Sequence, residues 1–165
     1  MKAGVGVLAP DPDVGFWLSY AERFDMKAGL VFEDRLVSFA KQLESFLEEA
    51  NPTHAFIEDV WFNPGVPNLR SMTQVAKVVG VASAITRRRD IPVVLLNVKS
   101  VRHILGVKAN RGDVAKKIVR KQINRRFEED LALLGYPKGL LTAHQDVADA
   151  IAVAWAGTKW KSTEQ

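Results

Sequence analysis

The sequence has no cysteine, and this absence excludes two kinds of stabilising structure. Without thiols there is neither a disulfide framework nor a thiolate metal site, and a reducing cytoplasm is the compartment that fits this composition best. Long apolar runs are also missing, since no stretch approaches the roughly 20 residues needed to span a bilayer. The N-terminal segment, residues 1–7, is short and glycine-rich and carries no clear signal-peptide cleavage site. The sequence therefore predicts neither a disulfide-rich secreted protein nor a membrane-spanning one.

What is present is enough apolar material for one well-buried domain. The chain has 165 residues, of which 47% are hydrophobic and 25% charged. That balance excludes a disordered chain, because apolar periodicity runs through most of its length. No internal repeat, low-complexity segment or interdomain linker interrupts it. We therefore expect a single domain over residues 1–165.

Charge is moderate in total but uneven in placement. The net charge is +4, with acidic residues concentrated in 33–60 and basic residues in 87–126. Such asymmetry favours a polyanionic partner, whereas the plainer interpretation is a solvated helix face. The basic clusters are Arg87-Arg88-Arg89, Lys99 with Arg102, Lys108 with Arg111, Lys116-Lys117, Arg120-Lys121 and Arg125-Arg126.

Periodicity and turn residues predict strands interleaved with helices after an N-terminal hairpin. This order is typical of an α/β domain with a mixed β-sheet flanked by helices. The predicted elements are a hairpin over 4–21 with its turn at 10–13, a helix over 33–50, a strand over 54–60, a loop over 62–67, a helix over 68–89 with Met72, Val75, Val79 and Ala82 facing inward, a strand over 91–96, a short helix or extended arm over 98–105, a basic loop over 106–112, a long helix from an Asp113 N-cap to 134, and a last helix over 143–160.

Two carboxylates near the C-terminus, Asp146 and Asp149, stand out because they interrupt an apolar, alanine-rich helix. At a spacing of three they project from one face, where like charges repel, so folding alone gives no reason for them. Binding of a divalent cation would explain them, and Glu58 at the end of the apolar run 55–57 supplies a third acid. In two-metal nucleases, converging carboxylates hold the Mg²⁺ ions that promote phosphodiester hydrolysis. Taken singly, Glu58 also fits a strand-end ion pair, and Asp146 a helix N-terminal acid.

These segments resemble a known family. Residues 56–61, the helix after them, and residues 146–152 with their D-x-x-D-A-[IL]-A pattern are similar to RuvC-type Holliday junction resolvases of the RNase H-like superfamily. The resemblance follows the element order over nearly the whole chain. It implies a homodimeric, Mg²⁺-dependent endonuclease, with Mn²⁺ as a substitute, that makes paired nicks in four-way DNA junctions. It also implies that Glu58, Asp146 and Asp149 are the metal ligands and catalytic residues.

The resemblance further implies residues that contact nucleic acid. An aromatic residue three positions after the strand-end Glu contacts unpaired bases in this family, which corresponds to Trp61; ordinary core packing is the alternative. Basic positions before and within the loop 106–112 bind phosphate there, which points to Lys99, Arg102, Lys108 and Arg111. For His144, one turn before Asp149, a surface position is the simpler interpretation, and assistance to a metal-bound water is the other.

The sequence departs from the family at its first catalytic acid, an Asp in a G-[IL]-D-P-G-like motif on the central strand. In one alignment residues 3–8 correspond to the family's second strand, so that the chain begins after the catalytic strand and Asp11 lies in a hairpin turn. In the other, residues 11–16 are a degenerate form of the motif and Asp11 is the missing ligand. The first preserves strand lengths and the hairpin. The first strand is therefore either missing or degenerate.

Three functions follow. The leading expectation is a junction resolvase of the cytoplasm, in bacterial or phage recombination and repair. The second is a catalytically weakened or inactive protein that binds branched nucleic acid, favoured by the departure in the first-strand motif. The third is a nuclease of the same superfamily that acts on RNA–DNA hybrids or other branched substrates.

Overall fold

The structure, a computed structural model, describes residues 2–26, 29–60, 69–108 and 112–160. The chain folds as two compact units, one of Phe24–Val98 and one of Lys2–Arg23 with Lys99–Gln165. The elements in chain order are β1 (Lys2–Asp11), β2 (Gly15–Asp25), α1 (Phe32–Ala50), β3 (Ala55–Glu58), α2 (Leu69–Arg88), β4 (Val93–Leu96), α3 (Val98–Ile104), α4 (Gly112–Arg126), α5 (Glu128–Leu133), a 3₁₀ turn (Thr142–His144) and α6 (Gln145–Thr158). Among the described helices, none is long and apolar enough to cross a membrane.

The first unit consists of two helices against a short parallel sheet. β3 and β4 pair in parallel with a register that runs from Ala55 opposite Val93 to Glu58 opposite Leu96. α2 packs on α1 and on both strands. α1 ends where Asn51 adopts a left-handed conformation and donates its N–H to the carbonyl of Leu47, and Pro52 follows. The parallel pairing places Glu58 at the carboxyl end of the sheet.

An aromatic cluster forms part of the core of this unit. The Phe24 ring lies 6.3 Å from that of Phe39 and 5.9 Å from that of Phe46, centroid to centroid. Phe39, Leu43 and Leu47 are buried at helical spacing, so α1 presents one apolar face to this core.

The second unit is built around α6. This helix packs against β1 on one side and α4 on another. β1 and β2 are hydrogen-bonded neighbours joined by a tight turn, as the sequence predicts. Arg126 reaches the start of β2, where its Nη2 donates to the carbonyl oxygens of Val14 at 2.9 Å and Phe16 at 3.0 Å. The described strands thus form two sheets of two strands each, within an α/β fold as expected.

The predicted long helix over 113–134 is wrong, because it breaks at Phe127. The backbone of this residue leaves the helical region, at φ −122° and ψ 35°, and a separate helix, α5, begins after it. Phe127 is 1% exposed, and its ring meets that of Trp155 edge-on at a centroid distance of 5.7 Å. The pattern hides the break because Ile123, Phe127 and Leu131 are all buried at a spacing of four. Apolar periodicity therefore continues across a discontinuous backbone.

Two smaller expectations also need correction. Val75 does not face inward, since 47% of it is exposed, whereas Ala82 on the same helix is buried as predicted. Asp113 lies within the first turn of α4, which already begins at Gly112. The predicted loop over 62–67 lies outside the described residues.

Candidate metal centre and nucleic-acid surface

Asp146 and Asp149, the Asp pair, lie on the N-terminal half of α6. Asp146 is in the first turn and Asp149 in the second, and both are half-buried. Around them Val147, Ala148 and Ile151 are almost fully buried. The pair therefore borders the apolar face of the helix, as predicted from the sequence.

Two glycines of β1 allow α6 to approach this strand closely. A Cβ atom at Gly4 would collide with the carbonyl group of Asp146 and would lie 2.8 Å from the amide nitrogen of Val147. At Gly6 it would lie 3.1 Å from Cγ1 of Ile151. Because side chains alternate along a strand, both glycines belong to one face of β1. This glycine face lies directly against the helix backbone at Asp146, so the strand determines the position of the Asp pair.

The carboxyl group of Asp149 sits in an electrostatically mixed environment. Burial raises its pKa above the ordinary value, and the neighbouring charge of Asp146 adds to that rise. A hydrogen bond from Gln145 and the positive charges of Lys116 and Arg102 act in the opposite direction. Since burial is the largest contribution, the ionised form is disfavoured at this position. A bound cation would relieve that cost.

A chain of hydrogen bonds joins α4 to this carboxylate. Arg120 donates from Nη1 to Oε1 of Gln145 at 2.7 Å, and Gln145 donates from Nε2 to Oδ1 of Asp149 at 2.8 Å. Neither Arg120, Gln145 nor Lys116 was singled out as a site residue from the sequence. The spacing of four between Gln145 and Asp149 was the available signal, because residues so spaced are neighbours on a helix surface.

Glu58 occupies the exposed end of β3, in the first unit. The parallel ladder continues just beyond it, because the amide of Asp59 donates to the carbonyl oxygen of Leu96 at 2.9 Å. In neither unit do the described residues contain a group of three or more His, Cys, Asp or Glu side chains that could hold a metal ion. The predicted ligand set therefore draws one carboxylate from the first unit and two from the second.

The predicted phosphate-binding residues fall partly within the described chain. Lys99 and Arg102 lie on α3, the first exposed and the second half-buried, and Lys108 is exposed after it. Of these, Arg102 is close enough to Asp149 to affect its pKa. Trp61 and Arg111 lie outside the described residues.

Asp11 and His144, whose roles the sequence left open, are both engaged locally. The Oδ1 of Asp11 accepts the amide N–H groups of Asp13 at 2.8 Å and Val14 at 2.9 Å, and these bonds lower the pKa of its carboxyl group. This is the hairpin-turn role of the first alignment. Nδ1 of His144 accepts the amide N–H of Leu141 at 3.1 Å, while its ring packs against Tyr136 at 5.2 Å.

Comparisons with known proteins show the fold. No protein-family profile and no curated protein matches the sequence. The chain is similar to the structure of Thermus thermophilus RuvC in complex with a Holliday junction substrate, with a TM-score of 0.68, 17% identity, and coverage of 94% of this chain and 85% of that one. A second structure of Thermus thermophilus RuvC gives a TM-score of 0.67 at 16% identity and covers 94% and 86% of the two chains. The fold is RuvC-like, as the sequence resemblance implies.

Proposed function

We propose that this chain is a Mg²⁺-dependent, structure-selective DNA endonuclease that resolves four-way junctions in recombination and repair. The observation that carries the proposal is the half-buried Asp149 carboxylate, flanked by Asp146 and by the cations of Arg102 and Lys116, within a RuvC-like fold. A folding role alone does not account for a carboxylate whose ionised form is penalised by burial. We further propose a single nuclease domain over residues 1–165, acting in the cytoplasm of a bacterium or as a phage product.

The donor atoms fit the metal that this function needs. Glu58, Asp146 and Asp149 would hold it, and all three offer carboxylate oxygens, which Mg²⁺ and Mn²⁺ prefer to sulfur or imidazole ligands. When bound, such a cation lowers the pKa of an attacking water and neutralises charge on the leaving oxygen. The raised pKa of Asp149 fits this assignment, because a cation beside the carboxylate favours its ionised form.

The basic residues supply the attraction to DNA. Lys99, Arg102, Lys108 and Arg111 would bind phosphates around the scissile bond, and Trp61 would stack on bases unpaired at the junction. Phosphate contacts give affinity without sequence preference, and aromatic stacking tolerates any base. The similar Thermus thermophilus protein was solved with a Holliday junction substrate, which supports branched DNA as the partner.

Paired nicks require two copies of the active site, so we propose a homodimer. α2 offers a face with little steric bulk, since Gly80 and Ala84 are exposed on it one turn apart. Beyond the adjacent residues and the backbone of its own helix, a Cβ atom at Gly80 would meet no described atom within 4 Å. Small residues allow close approach of a second helix.

The experiment is cleavage of a synthetic four-way junction, compared with a linear duplex of the same sequence. The proposal predicts paired nicks in the junction with Mg²⁺ or Mn²⁺, no nicks with a chelator, and little cleavage of the linear duplex. Equal cleavage of both DNAs would contradict junction selectivity, and cleavage in the presence of the chelator would contradict the metal-dependent mechanism. Inhibition of junction cleavage by an added RNA–DNA hybrid tests the third expected function, a nuclease that acts on such hybrids.

One observation favours the second candidate, a weakened or inactive protein that binds branched DNA. Asp11, the residue that the degenerate first-strand motif offers as the missing ligand, uses Oδ1 to hold the hairpin turn. Without a fourth carboxylate, three acids must bind the same cationic charge, which weakens metal binding. This candidate predicts salt-sensitive junction binding with no cleavage at any Mg²⁺ concentration.

A further inference from the structure

The side chain of Gln145 connects a half-buried arginine to one carboxylate of the proposed metal centre. Its Oε1 accepts from Arg120 at 2.7 Å and its Nε2 donates to Asp149 at 2.8 Å, so both ends of the amide are used. The orientation of the amide is fixed by chemistry. A guanidinium has no acceptor and an ionised carboxylate has no donor, so a flipped amide would lose both bonds.

The two helices that carry these residues pack against each other. Arg120 lies on α4, Gln145 and Asp149 lie on α6, and all three side chains are half-buried. Held this way, Oδ1 of Asp149 has a defined position and the rotation of the carboxylate is restricted.

We propose that Gln145 and Arg120 are positioning residues for the divalent cation, which orient the Asp149 carboxylate through this chain of hydrogen bonds. The inference rests on the proposed function, in that it takes Asp149 as a metal ligand. Residues that orient a metal ligand in this way typically contribute about 10- to 100-fold to metal affinity. A simple helix-surface pair between Gln145 and Asp149 would contribute to the stability of α6 and would leave metal affinity unchanged.

The effect of removing Arg120 on Mn²⁺ binding distinguishes a positioning role from a purely electrostatic one. Arg120 is a cation close to a cation site, so its removal should strengthen Mn²⁺ binding if only charge matters. If Arg120 acts by orienting Gln145 and Asp149, its removal weakens Mn²⁺ binding instead. The sign of the change therefore decides the role.

The experiment measures Mn²⁺ affinity of the full chain by electron paramagnetic resonance, without DNA. Gln145→Met, which changes no charge, and Arg120→Met are each expected to weaken binding about 10- to 100-fold. Arg120→Lys should recover part of the loss, since lysine retains a donor. Arg125→Met is the matched control, because Arg125 is an exposed cation on the same helix and its loss should leave affinity near that of the unsubstituted chain.

The outcomes separate this inference from the function on which it rests. If the unsubstituted chain binds no Mn²⁺, or if Asp149→Asn binds it equally well, the proposed metal centre is wrong. If Asp149→Asn loses binding but Gln145→Met keeps it, the positioning role alone is wrong. Gln145→Met is sufficient for that decision even if Arg120→Met fails to fold, and thermal unfolding of each variant identifies such a failure.

Discussion

Glu58 and Asp149 are proposed to serve one metal centre, yet their surroundings differ. Glu58 is exposed at the end of a four-residue strand in the first unit. Asp149 is half-buried on α6 in the second, with its carboxylate oriented by Gln145 and its pKa raised by burial. The two carboxylates therefore differ in how much their burial affects the stability of the folded chain. An exposed carboxylate keeps most of its contact with water, whereas the ionised form of a half-buried one is maintained at the expense of stability.

The largest expected effect is on cleavage, where both regions should matter equally. Glu58→Gln and Asp149→Asn should each reduce Mg²⁺-dependent cleavage of a four-way junction by on the order of 10³-fold, because a metal contributes several kcal/mol of charge stabilisation to the transition state. The measurement is the single-turnover cleavage rate. Asp59→Asn, which removes the adjacent acid, is the control and should stay within a few-fold of the unsubstituted rate. Activity that survives either substitution would refute the site assignment.

Next in size is a substitution that disturbs only the second region. Gly4→Ala should lower the free energy of unfolding by about 1–3 kcal/mol, since its methyl group would collide with the carbonyl group of Asp146. Urea denaturation measures it. Gly112→Ala is the matched control in the same unit, because the added methyl at the start of α4 meets open space and should change stability by less than about 1 kcal/mol. Equal stability of the two variants would contradict the close packing of β1 on α6.

A smaller effect separates the two carboxylates directly. Asp149→Asn should raise the free energy of unfolding at pH 7 by on the order of 1 kcal/mol, while Glu58→Gln should change it by less than about 0.5 kcal/mol. The sign follows from the raised pKa of Asp149: the folded chain binds its proton more tightly than the unfolded chain, so its ionisation destabilises the fold. The penalty is complete above the folded-state pKa and disappears as pH falls below the ordinary Asp value.

Urea titrations of both variants at neutral and acidic pH measure this difference. The advantage of Asp149→Asn should shrink steadily toward acid. An advantage that is independent of pH would contradict burial of the ionised carboxylate as its cause.

The smallest effect concerns DNA affinity. Lys99→Ala and Lys108→Ala should each reduce the slope of log K against log salt for junction binding by about 1, as expected for the loss of one phosphate contact. Binding in the presence of a chelator, across a salt series, measures the slope. Lys41→Ala, on an exposed position of α1 in the first unit, is the control and should leave it unchanged. Identical slopes for all three variants would remove these lysines from the DNA surface.

The local sequence pattern predicted much of the fold, because apolar spacing and turn residues often indicate the same element. The helix over 33–50 is confirmed within one residue, since its apolar stripe and the Asn51-Pro52 stop agree. The break at Phe127 escaped prediction because a buried side chain at the right spacing fits a continuous and a broken helix alike. The burial of Val75 was predicted wrongly for a related reason. Its apolar side chain and helical position fit a core residue, but the residue is exposed.

Some residues of the candidate site could likewise be identified from the sequence and others could not. The Asp pair was identifiable from sequence because two acids interrupt an apolar helix, and Glu58 because it ends an apolar run. Gly4 gave no such signal, since a glycine in a strand indicates a close approach but not its partner. Arg120 was hidden within a basic helix, where only tertiary packing distinguishes the one side chain that reaches Gln145.

Mn²⁺ affinities of Glu58→Gln, Asp149→Asn and the double variant test whether Glu58 and Asp149 bind one cation, as proposed. If the two carboxylates share a metal, either single substitution weakens binding strongly and the double variant is much less impaired than the product of the two effects, because ligands of one site are not independent. Wild-type affinity in either single variant, or effects that multiply fully in the double variant, would contradict a shared centre.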